Sequence, residues 1–276
     1  MIETTAPAAA ELYLGLLKQV LTGSLFERRY HRFEFAKGDI RRRLFAPLQR
    51  ALSARQLELV KLASADQRSQ GRDWPADGES MIGAKRMDNL QQCIADVIRR
   101  GVPGDFIETG VWRGGAVIFM RAALAAYEDP SRCVWVADSF AGLPPPEPGV
   151  AADQGDIFHG YRTLAVSIEQ VRANFARYGL LDDRVRFLEG WFKDTLPSAP
   201  LRELAIVRLD GDMYGSTMDA IRPLYPKLSV GGYLIVDDYG AVPGCKQAVD
   251  EYRAERGITE PIVDIDGWGV YWRRER

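Results

Sequence analysis

Phe106-Ile107-Glu108-Thr109-Gly110-Val111-Trp112-Arg113-Gly114-Gly115 reads as a short buried strand that breaks into a glycine-bearing turn and opens a helix. The apolar pair Phe106-Ile107 follows Pro103-Gly104, and Glu108 closes it. Glycines at such a break let a ligand approach the backbone closely. The spacing is Gly-x-x-x-Gly-Gly behind an acid. It matches neither the Gly-x-Gly-x-x-Gly dinucleotide pattern nor a phosphate loop closed by Gly-Lys-Ser/Thr. A turn without that phosphate cradle suits a ligand without phosphates, such as the adenosine joined to an amino acid in S-adenosylmethionine. A purely structural strand-to-helix turn is the competing reading, since glycine turns are common in α/β folds.

Downstream, Ala116 to Ala126 is apolar and alanine-rich, as expected of a helix packed on a sheet. Val134 to Ala137 is a second strand, ended by Asp138 about one strand–helix–strand unit after Gly110. A carboxylate there suits the two ribose hydroxyls of a nucleoside, or serves as a cap or turn residue. Ala141 to His159, with Pro144, Pro145, Pro146 and Pro148, cannot be regular structure and is expected to wall the site. His159 is a candidate base or orienting group. Ile168 to Tyr178 is a helix and Val185 to Leu188 a third strand. Glu189-Gly190-Trp191-Phe192 at its end offers an adenine slot, or plain core aromatics. Leu204 to Leu209 is an apolar strand interrupted only by Arg208, and Asp210-Gly211-Asp212 follows. A helix from about Ser216, capped by Ser216 or Thr217, meets Pro223. Tyr233 to Val236 is a fifth strand, ended by Asp237-Asp238. After a helix over Lys246 to Ala254, Ile262–Ile265 and Val270–Trp272 flank Asp266-Gly267 as a hairpin. The pattern predicts an α/β fold with a doubly wound, mostly parallel, seven-stranded sheet and a terminal antiparallel hairpin.

Upstream, Met87 to Arg100 places Leu90, Cys93, Ile94, Val97 and Ile98 at helical spacing. Residues 1–80 read as a helical cap, lid and substrate region laid on a donor-binding domain of residues 81–276. Leu12, Leu14, Leu16, Leu17, Val20 and Leu21 make an amphipathic helix that stops near Gly23. Arg28, Arg29, His31, Arg32, Lys37 and Arg41 to Arg43 interleave with Phe26, Tyr30, Phe33, Phe35 and Phe45. An anion patch is one reading; a solvated face whose long stems cover apolar surface is preferred. Leu52, Leu57, Leu59, Val60 and Leu62 suggest another helix, and Gln67 to Glu79 a loop.

The 276 residues are 46% hydrophobic with a net charge of −2, which points to a globular protein and away from generic nucleic-acid binding. Cys93, Cys133 and Cys245 are too scattered for a zinc site or a disulfide framework. Cys245 at a helix start is a candidate reactive thiol. No apolar run reaches the ~18 residues of a membrane span. Met1 to Glu11 lacks the regions of a signal peptide, so a cytoplasmic location is expected.

In open α/β sheets, ligands sit beyond the carboxyl ends of the strands. Glu108, Asp138, Asp210, Asp237 and Asp238 all end strands and should share one rim. Asp210, Asp237 and Asp238 come from consecutive strands, expected to be neighbours. Clustered carboxylates repel, and a bound divalent cation removes that cost. All-oxygen ligands favour Mg²⁺ over zinc. Such a cation orients adjacent hydroxyls and acidifies one, and Asp210 is in position to take the proton. Caps facing water are the alternative, and Asp212 is a weaker fourth acid that reads more as a turn residue.

Phe-Ile-Glu-Thr-Gly-Val-Trp-Arg-Gly-Gly (106–115), Ala-Asp-Ser-Phe-Ala-Gly-Leu-Pro (137–144), Leu-Asp-Gly-Asp-Met-Tyr (209–214) and Val-Asp-Asp-Tyr (236–239) together resemble the macrocin O-methyltransferase family. The resemblance runs from about Leu12 to the end. It implies a Rossmann-like class I methyltransferase fold and methylation of sugar hydroxyls on antibiotics with S-adenosylmethionine and Mg²⁺. It implies metal ligation by Asp210, Asp237 and Asp238, with Asp210 as base. Donor contacts fall on Glu108, Thr109, Gly110, Asp138, Ser139, Gly190, Trp191 and Phe192. Met81 and Ile82, within Ser80-Met81-Ile82-Gly83, join them through the resemblance alone. Gly215 stands where the family often has an acid, and Pro223 interrupts the next helix; both bear on the substrate side.

Two other readings stay open on sequence. One is a metal-dependent methyltransferase for catechol-like diphenols. The other is a nucleoside-binding module without catalysis. A small-molecule glycoside acceptor is expected, with no nucleic acid or membrane partner. The apolar N-terminal helix and the basic aromatic stretch suggest a homodimer or higher homo-oligomer.

Overall fold

The computed structural model describes residues 6–26, 29–35 and 37–276. Helix α1 (Ala6–Leu21) turns Leu14, Leu17 and Leu21 inward and leaves Leu12 and Leu16 exposed. Its inward leucines share one core with the side chains that cover the sheet, so α1 packs as part of that layer. Gly23, at φ +64, follows the helix as expected.

The next segment departs from its sequence reading. Strand β1 (Tyr30–Arg32) pairs antiparallel with β2 (Val60–Leu62), with helix α2 (Ile40–Ser53) between them. The expected helix over Leu52 to Leu62 therefore stops at Ser53, and Gln56 takes a left-handed φ of +57. Val60 to Leu62 finds its partner about thirty residues earlier, a pairing that no local periodicity reveals. Arg28 lies outside the described residues. Phe33, Phe35 and Phe45 pack on one another with ring centroids 5.0 to 5.8 Å apart. Helix α3 (Ala65–Ser69), with a capping box from Ser64 and Gln67, runs into the start of the expected loop.

Helix α4 (Gly83–Arg99) buries Met87, Leu90, Cys93, Ile94 and Val97 along one face. Strand β3 (Asp105–Thr109) leads into α5 (Gly115–Ala126), then β4 (Val134–Asp138), α6 (Ile168–Arg177), β5 (Val185–Glu189) and the short α7 (Phe192–Thr195). Strand β6 (Leu204–Leu209), α8 (Tyr214–Leu224), β7 (Leu228–Val236), α9 (Pro243–Arg256), β8 (Val263–Asp264) and β9 (Val270–Arg273) complete the chain. The seven-stranded sheet has the order β5-β4-β3-β6-β7-β9-β8. Strands β3 to β7 run parallel, and β9 is antiparallel to both β7 and β8. Alternation in β3 sends Phe106 to the core under α1, α4 and α5, and Ile107 to the core under α8 and α9. Strand order reverses between β3 and β6, which opens a crevice at their carboxyl ends.

Helix α8 begins at Tyr214, two residues before the expected start, and neither Ser216 nor Thr217 caps it. Asp153, from the proline-rich segment, supplies the cap instead. Pro223 sits in the last turn, where it ends the helix without breaking its body. Among the described residues, no helix is long and apolar enough to cross a membrane.

Candidate active site

The strand ends are held level by backbone hydrogen bonds that extend the ladders. Gly190 N donates to Asp138 O, Gly110 N to Ala137 O, Asp210 N to Thr109 O and Asp237 N to Leu209 O, each at 2.9 Å. That row fixes Glu108, Asp138, Asp210, Asp237 and Asp238 on one rim. Gly110 makes it possible: its φ is +80, and a Cβ there would lie 1.7 Å from Asp210 O. Above the rim is a cavity of about 990 Å³, near the upper end of the usual ~300–1,000 Å³ range for small-molecule sites.

Residues from three parts of the chain line it. Met81, Ile82, Trp74 and Arg86 come from the N-terminal side; Leu143, Pro144, Phe158 and Leu164 from the proline-rich segment; Trp268 from the terminal hairpin. Glu108, Gly110, Asp138, Ser139, Trp191, Phe192, Asp210, Asp212, Asp237 and Asp238 also reach it. Thr109 and Gly190 lie behind this wall, and Thr109 is fully buried. His159 is exposed and away from the cavity. Cys245 is buried, and burial pushes its thiol well up, which removes it as a reactive group.

At the ends of β3 and β4, Glu108 Oε2 is buried without a hydrogen-bond partner, while Oε1 accepts from Arg208. Burial pushes the Glu108 carboxyl up to about 8, against the pull of Arg208. A buried polar atom left unpaired marks a place where a partner would be favourable. Asp138 Oδ2 accepts from Val111 N and Oδ1 from Phe140 N, both at 2.7 Å. Burial raises its carboxyl despite those amides. Each oxygen keeps a further lone pair for a ribose hydroxyl. The start of α5 is closed by protein, since Gly115 N donates to Glu79 O. Ser139 Oγ ties the following turn by donating to Gly142 O at 2.7 Å.

On the opposite side, one carboxylate oxygen each from Asp210, Asp237 and Asp238 lies within 4.8 Å of the others. Arg208 is 1% exposed and bridges Glu108, Asp210 and Asp237. Arg86 takes the other oxygen of Asp237 and also pairs with Asp266 at 3.0 Å. Asp212, a non-glycine residue at φ +55, donates its amide to Asp238 Oδ2 at 3.1 Å. Among the described residues, no cation pairs with the Asp212 carboxylate. Burial and then Asp237 push Asp210 up to about 6. Burial and the neighbouring acids push Asp212 and Asp238 well above the carboxylate range. Two guanidiniums thus face five carboxyl groups, Glu108, Asp210, Asp212, Asp237 and Asp238, too few to hold all of them ionised without a further cation. That excess of carboxyl groups, all offering oxygen, fits a hard divalent cation.

The macrocin-O-methyltransferase (TylF) family model matches residues 10–274. The chain belongs to the macrocin O-methyltransferase family. It is 50% identical to the demethyldecarbamoylnovobiocin O-methyltransferase of Streptomyces niveus, covering 97% of this chain and 95% of that one. It is 51% identical to the 8-demethyl-8-(2,3-dimethoxy-alpha-L-rhamnosyl)-tetracenomycin-C 4'-O-methyltransferase of Streptomyces olivaceus, with 96% and 93% covered. The solved structure of the O-methyltransferase NovP superposes with a TM-score of 0.85 at 49% identity, covering 97% of this chain and all of that one. The expected family and class I methyltransferase fold therefore hold, and the chain is an O-methyltransferase. The non-catalytic alternative falls with that membership.

For this macrocin-type enzyme, sequence reasoning gave no role to Arg208 or Asp153 and held Asp212 only as a weaker fourth acid. Arg208 did leave a signal, a lone cation in a strand otherwise apolar throughout. A buried guanidinium requires carboxylate partners, and three of the strand-end acids supply them.

Proposed function

We propose that the enzyme transfers the methyl of S-adenosylmethionine to a sugar hydroxyl of a glycosylated natural product, with Mg²⁺ bound by Asp210, Asp237 and Asp238. The observation that carries this reading is that Asp210, Asp237 and Asp238 bring three carboxylate oxygens together in one cavity that Glu108 and Asp138 also line. The activities of the relatives, on glycosylated antibiotic scaffolds, favour a sugar acceptor over a catechol-like one. S-adenosylmethionine supplies an electrophilic methyl on sulfur. When bound, a divalent cation orients adjacent acceptor hydroxyls and lowers the pKa of one.

The chain's own residues do the rest. Glu108 receives the donor's ammonium, Asp138 its ribose hydroxyls, and Trp191 and Phe192 flank its adenine. Leu143, Pro144, Trp74 and Trp268 exclude water from the reacting pair, and holding that pair in line supplies most of the rate. For the proton, sequence nominates Asp210. Asp212 is the better base on this geometry, because Arg208 already occupies one oxygen of Asp210 at 2.8 Å. Asp210 is then chiefly a ligand.

The test is methylation of demethyldecarbamoylnovobiocin and a panel of deoxysugar glycosides before and after chelation. Activity lost with chelator and restored by Mg²⁺ is expected. Undiminished turnover in chelator would remove the cation from the scheme. A homo-oligomer through the exposed Leu12 and Leu16 face of α1 is also proposed, and light scattering on Leu12→Glu/Leu16→Glu should report a smaller species.

A further inference from the structure

The segment 141–165 forms one wall of the cavity through Gly142, Leu143, Pro144, Glu147, Val150 and Phe158. Its later part is tied to the N-terminal region, where Glu34 accepts from Arg162 N and Thr163 N at 3.0 Å. Its middle has two ties to the sheet domain. One, Glu147–Lys193 at 3.0 Å, is exposed and weak. The other is Asp153, which is 5% exposed. Its Oδ1 accepts from Tyr214 N at 2.6 Å and its Oδ2 from Gly215 N at 2.9 Å.

Those amides open α8 and would otherwise be unsatisfied. The carboxylate sits in a socket made by two glycines on two helices. A Cβ on Gly244 would lie 3.0 Å from Asp153 Oδ1, and one on Gly215 would lie 3.3 Å from Oδ2. The residues just before Tyr214 are the Asp210–Asp212 turn, which includes the left-handed Asp212. Nothing in that turn caps α8. The wall over the cavity and the turn carrying its acids are therefore joined through one buried side chain.

We propose, resting on the divalent-cation reading above, that Asp153 is a positioning residue that sets the Asp210–Asp212 turn for cation binding while it holds the 141–165 wall in place. It touches no reactant, so its effect reaches the site through the backbone of α8. The wall and the acid turn should then loosen together when the socket is disturbed.

The experiment measures Mn²⁺ binding by electron paramagnetic resonance and amide hydrogen exchange in the full chain, without acceptor. Variants are Asp153→Ala, Asp153→Asn and Gly244→Ala, which fills the socket and leaves Asp153 untouched. In Asp153→Ala, Mn²⁺ affinity should fall about tenfold or more, the range for residues that orient ligands from behind. Exchange should rise in 141–165 and 210–216 together, with β3 and β4 unchanged. Asp153→Asn, which can still accept from one amide, should fall between. If Asp153→Ala does not fold, Asp153→Asn and Gly244→Ala carry the same comparison. Wild-type affinity with unchanged exchange at 210–216 in the variants would overturn the proposal. If the wild type binds no Mn²⁺, the cation reading fails by itself, and coupled exchange of the two segments alone decides whether Asp153 joins them.

Discussion

Arg208 sits where a single charge decides the state of three acids. Its guanidinium is buried against Glu108, Asp210 and Asp237. Removing one partner of a buried ion pair typically costs ~3–5 kcal/mol, because the remaining charge is stranded. Arg208→Met is therefore expected to lose about that much stability at neutral pH, read by urea denaturation. Arg208→Lys should lose less, since it restores charge without the fork. If Arg208→Met is as stable as wild type, the network is not what holds the rim. The two candidate bases separate in the same way. Asp210→Asn should weaken Mn²⁺ binding, whereas Asp212→Asn should keep it and lose turnover by at least ~100-fold. The reverse pattern would return the base to Asp210. At this scale the acids were legible, because each ends a recognisable strand. Their partners were not, because Arg86 meets Asp237 across 151 positions of sequence.

The strand–turn–helix that begins at Phe106 depends on a backbone that no side chain can share. Gly110 combines a left-handed φ with the carbonyl of Asp210 pressed against its α-carbon. Gly110→Ala therefore meets two penalties: ~1–3 kcal/mol for the conformation and a clash that must push β6 away. Loss of S-adenosylhomocysteine binding by calorimetry and a sharp fall in folded yield are expected. Gly257→Ala is the control, with φ +61 and open space around the α-carbon, and should show only the conformational cost. Equal tolerance at both positions would mean that the close crossing is not real. Elements of this kind were readable because apolar runs and glycines mark them locally. The β1–β2 pair was not, because Val60 and Leu62 are exposed and only the partner strand defines them. The start of α8 was misplaced for a related reason: its cap arrives from Asp153, about sixty residues upstream.

Taken whole, the molecule gathers more carboxylates into one cavity than its guanidiniums neutralise, and this shapes stability against pH. The Glu108 carboxyl is raised to about 8 and Asp210 to about 6, both mainly by burial. An acid raised in the folded state binds more protons folded than unfolded, so stability falls as pH rises through that window. The contribution is fully present below the ordinary carboxylate range and is lost through about 6 for Asp210 and about 8 for Glu108. Acids elsewhere act in the opposite sense. Asp182, held by Arg121, and Asp129 are lowered, and their contributions are lost only in acid. The chelated protein should therefore be most stable in weak acid, with a melting temperature that declines from pH 6 to 8.5. A ligand that binds only the folded chain adds stability by mass action. A divalent cation competes with protons for the same oxygens, so Mg²⁺ should raise the melting temperature more at pH 8.5 than at pH 6. Differential scanning calorimetry across that range, with and without chelator, checks both slopes. A chelated protein that gains stability toward pH 8.5, or a Mg²⁺ effect largest at pH 6, would mean that the rim acids are paired within the protein and hold no ion.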